Sequence, residues 1–255
     1  MSASEFARKI RARERVLGYW CVLDAPVATE RIARLGYDYV CLDGQHGLLG
    51  YSGLLSGLTA IDAGGASTGL VRVEANDATP IGRALDAGAG GVIVPLVDTA
   101  ADAAAAVAAA KYGPEGKRSY GPMRSALRIG PTPADANAST VVLVMIETAQ
   151  GLANVEEICA TPGLDGVYVG PSDLMLALGG SFPGDPALAA EFEAALTRVR
   201  EAAAAAGIAG GIHTPDGATA AKRLAEGYTF ASISSDLTHL EASAAAHLAA
   251  SLGES

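Results

Sequence analysis

Cysteine is scarce in this chain of 255 residues: Cys21, Cys41 and Cys159 are scattered and odd in number. Such spacing argues against a disulfide framework or a thiolate zinc site and reads as reduced core thiols of a cytosolic protein. Positive charge is also in short supply, with 18 basic residues against 28 acids and a formal net charge of −10. This disfavours nucleic acid or an anionic membrane as the main partner, while a local site can still take an anionic substrate. Lysine is rarer still. Lys9, Lys111, Lys117 and Lys222 all fall away from the predicted strand ends, which disfavours imine chemistry; Lys117, in a long loop, stays open. No Gly-x-Gly-x-x-Gly follows the first strand, so a dinucleotide-binding unit lacks its main sign. The first ten residues lack the apolar core of a signal peptide, and no apolar run is long enough to span a bilayer. The expectation is a soluble, cytoplasmic protein.

Against these absences stands a large hydrophobic content, 50% of residues with a mean hydropathy of +0.27. That allows a large core and excludes global disorder. Alanine fills the helical stretches and favours strong, closely packed helices. After a short amphipathic leading helix over 3–13, strand-like runs fall at 16–23, 39–42, 69–73, 91–96, 141–146, 166–169, 208–212 and 230–233, with helical stretches between them. Continuous apolar strands suit a parallel sheet covered on both faces. Their number at this length favours a closed (β/α)8 TIM barrel, one α/β domain over 1–255, rather than an open doubly wound sheet. Asp98 is placed to cap the Ala-rich helix that runs to Lys111. Two stretches break the pattern. Residues 112–140, rich in Gly, Pro and Arg, read as an active-site lid or an oligomer contact, and 179–186 lengthens the loop after the sixth strand.

In a barrel of this kind the C-terminal ends of the strands carry the active site. The fifth strand, Val-Val-Leu-Val-Met-Ile-Glu-Thr (141–148), runs into Glu147, and the sixth, Asp-Gly-Val-Tyr-Val-Gly-Pro-Ser-Asp-Leu (165–174), into Asp173. An acid where a buried strand emerges is costly unless a cation or proton compensates it. Two such acids with no thiol nearby resemble a hard-cation site, completed by waters and substrate oxygens. The plainer alternative for either acid is a helix cap or an arginine partner. Gly170-Pro171-Ser172-Asp173 also opens a helix, whose free N–H groups can hold a carboxylate. Asp43 ends the second strand, and His46 beyond it can form a dyad in which the carboxylate fixes the tautomer and raises basicity. Arg72, inside an apolar strand, can stabilise an anionic oxygen or pair with Glu147 or Asp173. His213 ends the seventh strand and Ser234-Ser235-Asp236 the eighth.

Taken together, these residues resemble the HpcH/HpaI aldolase family, the metal-dependent (class II) pyruvate aldolases. The matching blocks are Leu-Asp-Gly-Gln-His-Gly (42–47), Val-Arg-Val (71–73), Ala-Leu-Asp-Ala-Gly-Ala-Gly-Gly-Val-Ile-Val-Pro (84–95), Gly-x-Arg-Ser-Tyr-Gly-Pro (116–122), Met-Ile-Glu-Thr (145–148) and Gly-Pro-Ser-Asp-Leu (170–174). They follow one another in family order over most of the chain. The resemblance implies a (β/α)8 barrel that exchanges its last helix with a neighbour and assembles as a homohexamer. It implies that Glu147 and Asp173 bind Mg²⁺, Mn²⁺ or Co²⁺, which a 2-oxo acid would chelate through its carboxylate and C2 oxygen. The Ser172 and Asp173 N–H groups would hold the carboxylate, and Arg72 would stabilise the enolate oxygen. His46 would be the general base, supported by Asp43, with Asp86 raising its basicity from within the chain or across a subunit boundary. Two positions depart from the family pattern. Met145 stands where some members have a substrate-touching glutamine. His213 replaces an apolar residue that lines the aldehyde pocket, which implies either contact with a polar substrate tail or a packing role.

The activity this implies is reversible cleavage of a 4-hydroxy-2-oxo acid to pyruvate and an aldehyde. Chelation makes C2 an electron sink while a base takes the 4-hydroxyl proton as C3–C4 breaks. An acyl-CoA lyase of the citramalyl- or malyl-CoA type is disfavoured because no basic cluster suits a CoA phosphate tail. A catalytically silent binding barrel is disfavoured because every part of the site is retained.

Overall fold

The structure, a computed structural model, describes residues 1–130 and 132–253; Pro131, within the predicted 112–140 segment, and Glu254 and Ser255, at the end of the predicted domain, lie outside the described residues. The chain opens with α1 (Ala3–Arg11), β1 (Val16–Cys21), α2 (Pro26–Ile32), β2 (Tyr39–Asp43), α3 (Tyr51–Gly64) and β3 (Thr68–Arg72). It continues through α4 (Ala78–Asp86), β4 (Gly91–Val94), α5 (Ala100–Ala110), α6 (Pro133–Ser139), β5 (Val141–Ile146), α7 (Ala149–Ala153) and α8 (Val155–Cys159). The last third holds β6 (Gly166–Val169), α9 (Pro171–Ala177), α10 (Ala189–Ala206), β7 (Ala209–Thr214), α11 (Gly217–Glu226), β8 (Phe230–Ser235) and α12 (Asp236–Leu252). The strands pair in parallel in sequence order and close with β1 against β8. This is the expected (β/α)8 barrel.

Alternation within each strand divides the core into two layers. One parity faces the helices: Val40, Leu42, Val142, Val144, Val167 and Val169 belong to the outer cluster. The other faces the barrel axis, where Tyr39, Leu70, Ile93, Leu143, Tyr168 and Phe230 fill the interior. Both parities are apolar, as expected for strands covered on both faces. The interior is filled by large rings beside missing side chains: a Cβ on Gly18 would overlap the Tyr39 ring, and one on Gly211 the Phe230 ring. From the N-terminal end, α1 pushes Phe6, Ala7 and Ile10 into the same inner cluster, with Phe6 edge-on to Tyr39 at 5.7 Å.

Several helices start on a side-chain cap, and four of them end on a left-handed glycine (Gly65, Gly207, Gly227, Gly253). The cap of α5 is Thr99 and not Asp98. Thr99 forms a capping box with Asp102, and Asp98 accepts the Thr148 hydroxyl instead. β4 stops short of the predicted 91–96 because Leu96 turns into left-handed backbone, φ 53°. The stretch between β5 and β6 breaks into two short helices at Asn154. The described residues of 112–140 leave α5 and enter β5, so they lie at the N-terminal end of the barrel, away from the mouth. Arg118 and Arg124 fasten this segment to Asp86 and Asp62. It therefore does not cover its own chain's strand ends, contrary to the lid reading. Among the described residues no helix is long and apolar enough to cross a membrane.

Candidate active site

The inward parity delivers the site. Trp20, Asp43, Arg72, Glu147 and His213 all continue the inward positions of their strands at the C-terminal end, where the apolar run gives way to polar side chains. Together with α9, these strand ends enclose a cavity of about 260 Å³, lined among others by His46, Arg72, Ser172, Asp173 and His213.

Asp43 and Arg72 are register partners at the ends of β2 and β3, and their buried side chains meet in a two-pronged ion pair. Arg72 Nε donates to Asp43 Oδ1 at 2.9 Å, and a terminal guanidinium nitrogen donates to Oδ2 at 2.5 Å. Trp20 Nε1 adds a bond to Oδ2 at 3.2 Å, and the backbone N–H groups of Gln45 and His46 donate to Oδ1. The Arg72 guanidinium also lies 5.1 Å from the centre of the Trp20 ring. Burial by itself would raise the Asp43 pKa, but the hydrogen bonds and charge of Arg72 outweigh it and hold the carboxyl below its ordinary value. The expected Asp43–His46 side-chain dyad is therefore replaced: Asp43 orients Arg72 and receives the His46 backbone, not its ring. The reason is geometric, since residues 44–46 turn back over the carboxylate. Arg72 pairs with Asp43 and with neither Glu147 nor Asp173.

Glu147 has the opposite environment. Its Oε1 accepts the Leu96 N–H at 2.9 Å, while Oε2 is buried with no hydrogen-bond partner. Burial first, and the charge of Asp173 further, raise its pKa; the Leu96 N–H and Arg72 only partly oppose them. Gly170 keeps the space beside Oε2 open, because a Cβ there would overlap that oxygen and come within 2.9 Å of Met145 Cε. A buried carboxylate oxygen without a donor is what a cation would satisfy. Asp173 stands exposed in the first turn of α9, whose glycine N-cap offers no side-chain bond to the free N–H groups there. Among the described residues no three His, Cys, Asp or Glu side chains converge into a complete protein cage. The donor set thus fits a hard divalent ion that keeps water and substrate oxygens in its shell.

His46 is exposed at the cavity. Asp86 is elsewhere: as the last residue of α4 it lies at the N-terminal end of the barrel, paired with Arg118 at 2.6 Å. One chain does not bring Asp86 and His46 together. His213 lines the cavity beside Trp20, and burial first, then the charge of Arg72, lowers its pKa to about 4. Sequence reasoning missed Trp20 and Tyr168. The sign available for the first was the lone tryptophan at a strand end; Tyr168 is hidden inside an apolar run.

Residues 16–243 match the HpcH/HpaI aldolase/citrate lyase family. A hydroxypyruvate/pyruvate aldolase of Rhizorhabdus wittichii is 42% identical over 229 residues, covering 89% of this chain and 90% of that protein. A 5-keto-4-deoxy-D-glucarate aldolase of Shigella dysenteriae is 36% identical over 241 residues, covering 92% and 91%. A crystal structure of an HpcH/HpaI aldolase/citrate lyase family protein from Burkholderia cenocepacia superposes with a TM-score of 0.86 at 33% identity, over 96% of this chain and 98% of that one. The chain belongs to the HpcH/HpaI aldolase/citrate lyase family. It is an enzyme of the carbon–carbon lyase class.

Proposed function

We propose that the enzyme catalyses reversible, divalent-metal-dependent aldol cleavage of a 4-hydroxy-2-oxo acid to pyruvate and an aldehyde. The observation that carries this reading is the unpartnered, buried Glu147 Oε2, within electrostatic reach of Asp173, which lines the cavity. Mg²⁺, Mn²⁺ and Co²⁺ all suit two carboxylates of this kind. Bound there, the ion would polarise the carbonyl of a 2-oxo acid. The chain's own residues do the rest. Arg72, locked in place by Asp43 and Trp20, stabilises charge as it builds on the C2 oxygen. His46 takes the 4-hydroxyl proton as C3–C4 breaks. The open N–H groups of Ser172 and Asp173 face the substrate carboxylate, and His213 contacts its tail. Dialysis against EDTA is expected to lower retro-aldol turnover by on the order of a hundredfold or more, with recovery on adding Mg²⁺, Mn²⁺ or Co²⁺. Turnover that survives EDTA would remove Glu147 and Asp173 from the ligand role.

The same reading extends to assembly. α12 buries none of its residues in its own chain and leaves Leu240, Leu248 and Leu252 exposed. Its first turn is nevertheless held: Asp236 accepts the Val22 and Leu23 N–H groups, and His239 meets the Tyr19 hydroxyl at 2.8 Å. A helix anchored at its root with its leucines in water fits exchange with a second copy, as in the hexamer implied by the family. Residues 112–140 expose Tyr120, Met123 and Leu127 and fit the same role of oligomer contact. Asp86 would then act on His46 only across a subunit boundary. Leu240→Glu combined with Leu248→Glu is expected to reduce the mass seen by light scattering to that of a monomer; an unchanged mass would take α12 out of the interface. The free, buried thiols of Cys21, Cys41 and Cys159 suit a reducing compartment such as the cytoplasm.

A further inference from the structure

His213 reaches the mouth from β7 with a defined set of neighbours. Its ring meets Trp20 edge-on, with centroids 5.4 Å apart and planes at 78°. Its Nδ1 makes a long contact, 3.4 Å, with the Tyr168 hydroxyl. Tyr168 is fully buried and already donates its one O–H to Ser232 Oγ at 2.7 Å. Towards Nδ1 the phenol oxygen is then left as an acceptor, an arrangement that favours the tautomer with the ring hydrogen on Nδ1. Ser232 is engaged on its other side by the Tyr39 hydroxyl, also at 2.7 Å, so the tautomer is backed by a chain of hydroxyls inside the barrel.

Burial and the Arg72 charge keep this imidazole neutral, with its pKa lowered to about 4. A neutral ring protonated at Nδ1 presents Nε2 as a lone pair. Ser172, Ser235 and His46 also line the cavity, but other neighbouring groups offer no equivalent acceptor. Trp20 spends its N–H on Asp43, Met145 is a weak acceptor at best, and Glu147 and Asp173 are assigned to the cation.

We infer that His213 Nε2 accepts a hydrogen bond from a substrate hydroxyl, so that the site selects a hydroxylated reactant over its plain aliphatic counterpart. The hydroxyl can be carried next to the aldehyde carbonyl or on C3 of the 2-oxo acid. This inference rests on the aldolase reading above and names the substrate class of the same site.

The test compares wild type with His213→Leu in two pairs of reactions. One pair sets glycolaldehyde against propionaldehyde, which match in heavy atoms, each with pyruvate. The other sets hydroxypyruvate against pyruvate with a common aldehyde. Loss of one hydrogen bond is expected to lower the hydroxylated-to-plain ratio of kcat/KM roughly tenfold in one of the pairs. The pair that moves identifies which hydroxyl is read. His213→Gln, which keeps an acceptor oxygen, is expected to retain part of the ratio. Both ratios unchanged in an active variant would overturn the inference while leaving the aldolase reading intact. Absence of turnover by wild type in every reaction would instead overturn the aldolase reading, and the inference with it. A readout independent of turnover covers a variant that loses all activity: ¹⁵N-histidine spectra of the wild-type protein are expected to show His213 as the Nδ1–H tautomer, and an Nε2–H tautomer would overturn the inference.

Discussion

Without metal, Glu147→Gln is expected to melt above wild type, by roughly 2–4 °C; with excess Mn²⁺ the order should reverse. The amide oxygen keeps the acceptor that Leu96 N–H requires, while the charge on the buried, unpartnered Oε2 disappears. An uncompensated buried charge costs more than a neutral amide in the same place, so the apo variant gains. Wild type recovers that cost when a cation binds, because any ligand specific to the folded state stabilises it by mass action. The variant has lost a charged ligand and should show little metal-dependent shift. Aldol turnover should fall by on the order of a thousandfold, the scale of losing one principal electrostatic contributor. Calorimetry with EDTA and with Mn²⁺ decides the matter: an undiminished metal shift in the variant would exclude Glu147 as a ligand.

Arg72→Ala should damage both stability and chemistry. It leaves the Asp43 carboxylate buried with only Trp20 and two loop N–H groups, and breaking such a pair costs about 3–5 kcal/mol. Turnover should drop by on the order of 10²–10³ if, as proposed, the guanidinium stabilises the charge that develops on the C2 oxygen. The pH dependence has a definite sign. In wild type the folded-state pKa of Asp43 lies below its ordinary 3.8, so the pair stabilises the fold above that pH and the contribution is lost as pH falls through the folded-state value. The deficit of Arg72→Ala should therefore be largest near neutrality and shrink in acid. Adding Asp43→Asn should recover much of the stability and none of the activity. Urea unfolding across pH, with turnover measured alongside, tests this; a deficit equal at all pH values would mean that the ion pair is not what the substitution removes.

The barrel was legible because its strands are buried on both faces. Unbroken apolar runs such as 141–146 and 166–169 mark themselves off from the alanine-rich helices, and Glu147 and Asp173 stand out as the acids that end the runs. The same double burial hides parity. With both faces apolar, nothing in Tyr-Val-Cys-Leu (39–42) says which residue points inward until Asp43 breaks the run. The nearest candidate partner for Asp43 along the sequence is His46, whereas the register of β2 on β3 places its partner 29 positions away, at Arg72. Tyr168 was invisible for the same reason, since its hydroxyl acquires meaning only from Ser232 and His213 on neighbouring strands. Asp98 and Thr99 are both good caps side by side, and composition does not choose between them. The placement of 112–140 could have been read: a segment that follows a helix and precedes a strand lies at the N-terminal end of a barrel.

The position of α1 bears on the route by which reactants come and go. With Phe6 and Ile10 closing the far end, the cavity is a blind well with one door, not a channel. Reactants and products therefore share the opening at the strand ends, lined by His46, Ser172 and Asp173 among others. In the aldol reading the 2-oxo acid and the aldehyde pass through the same opening, and neither has a separate route out through the closed end.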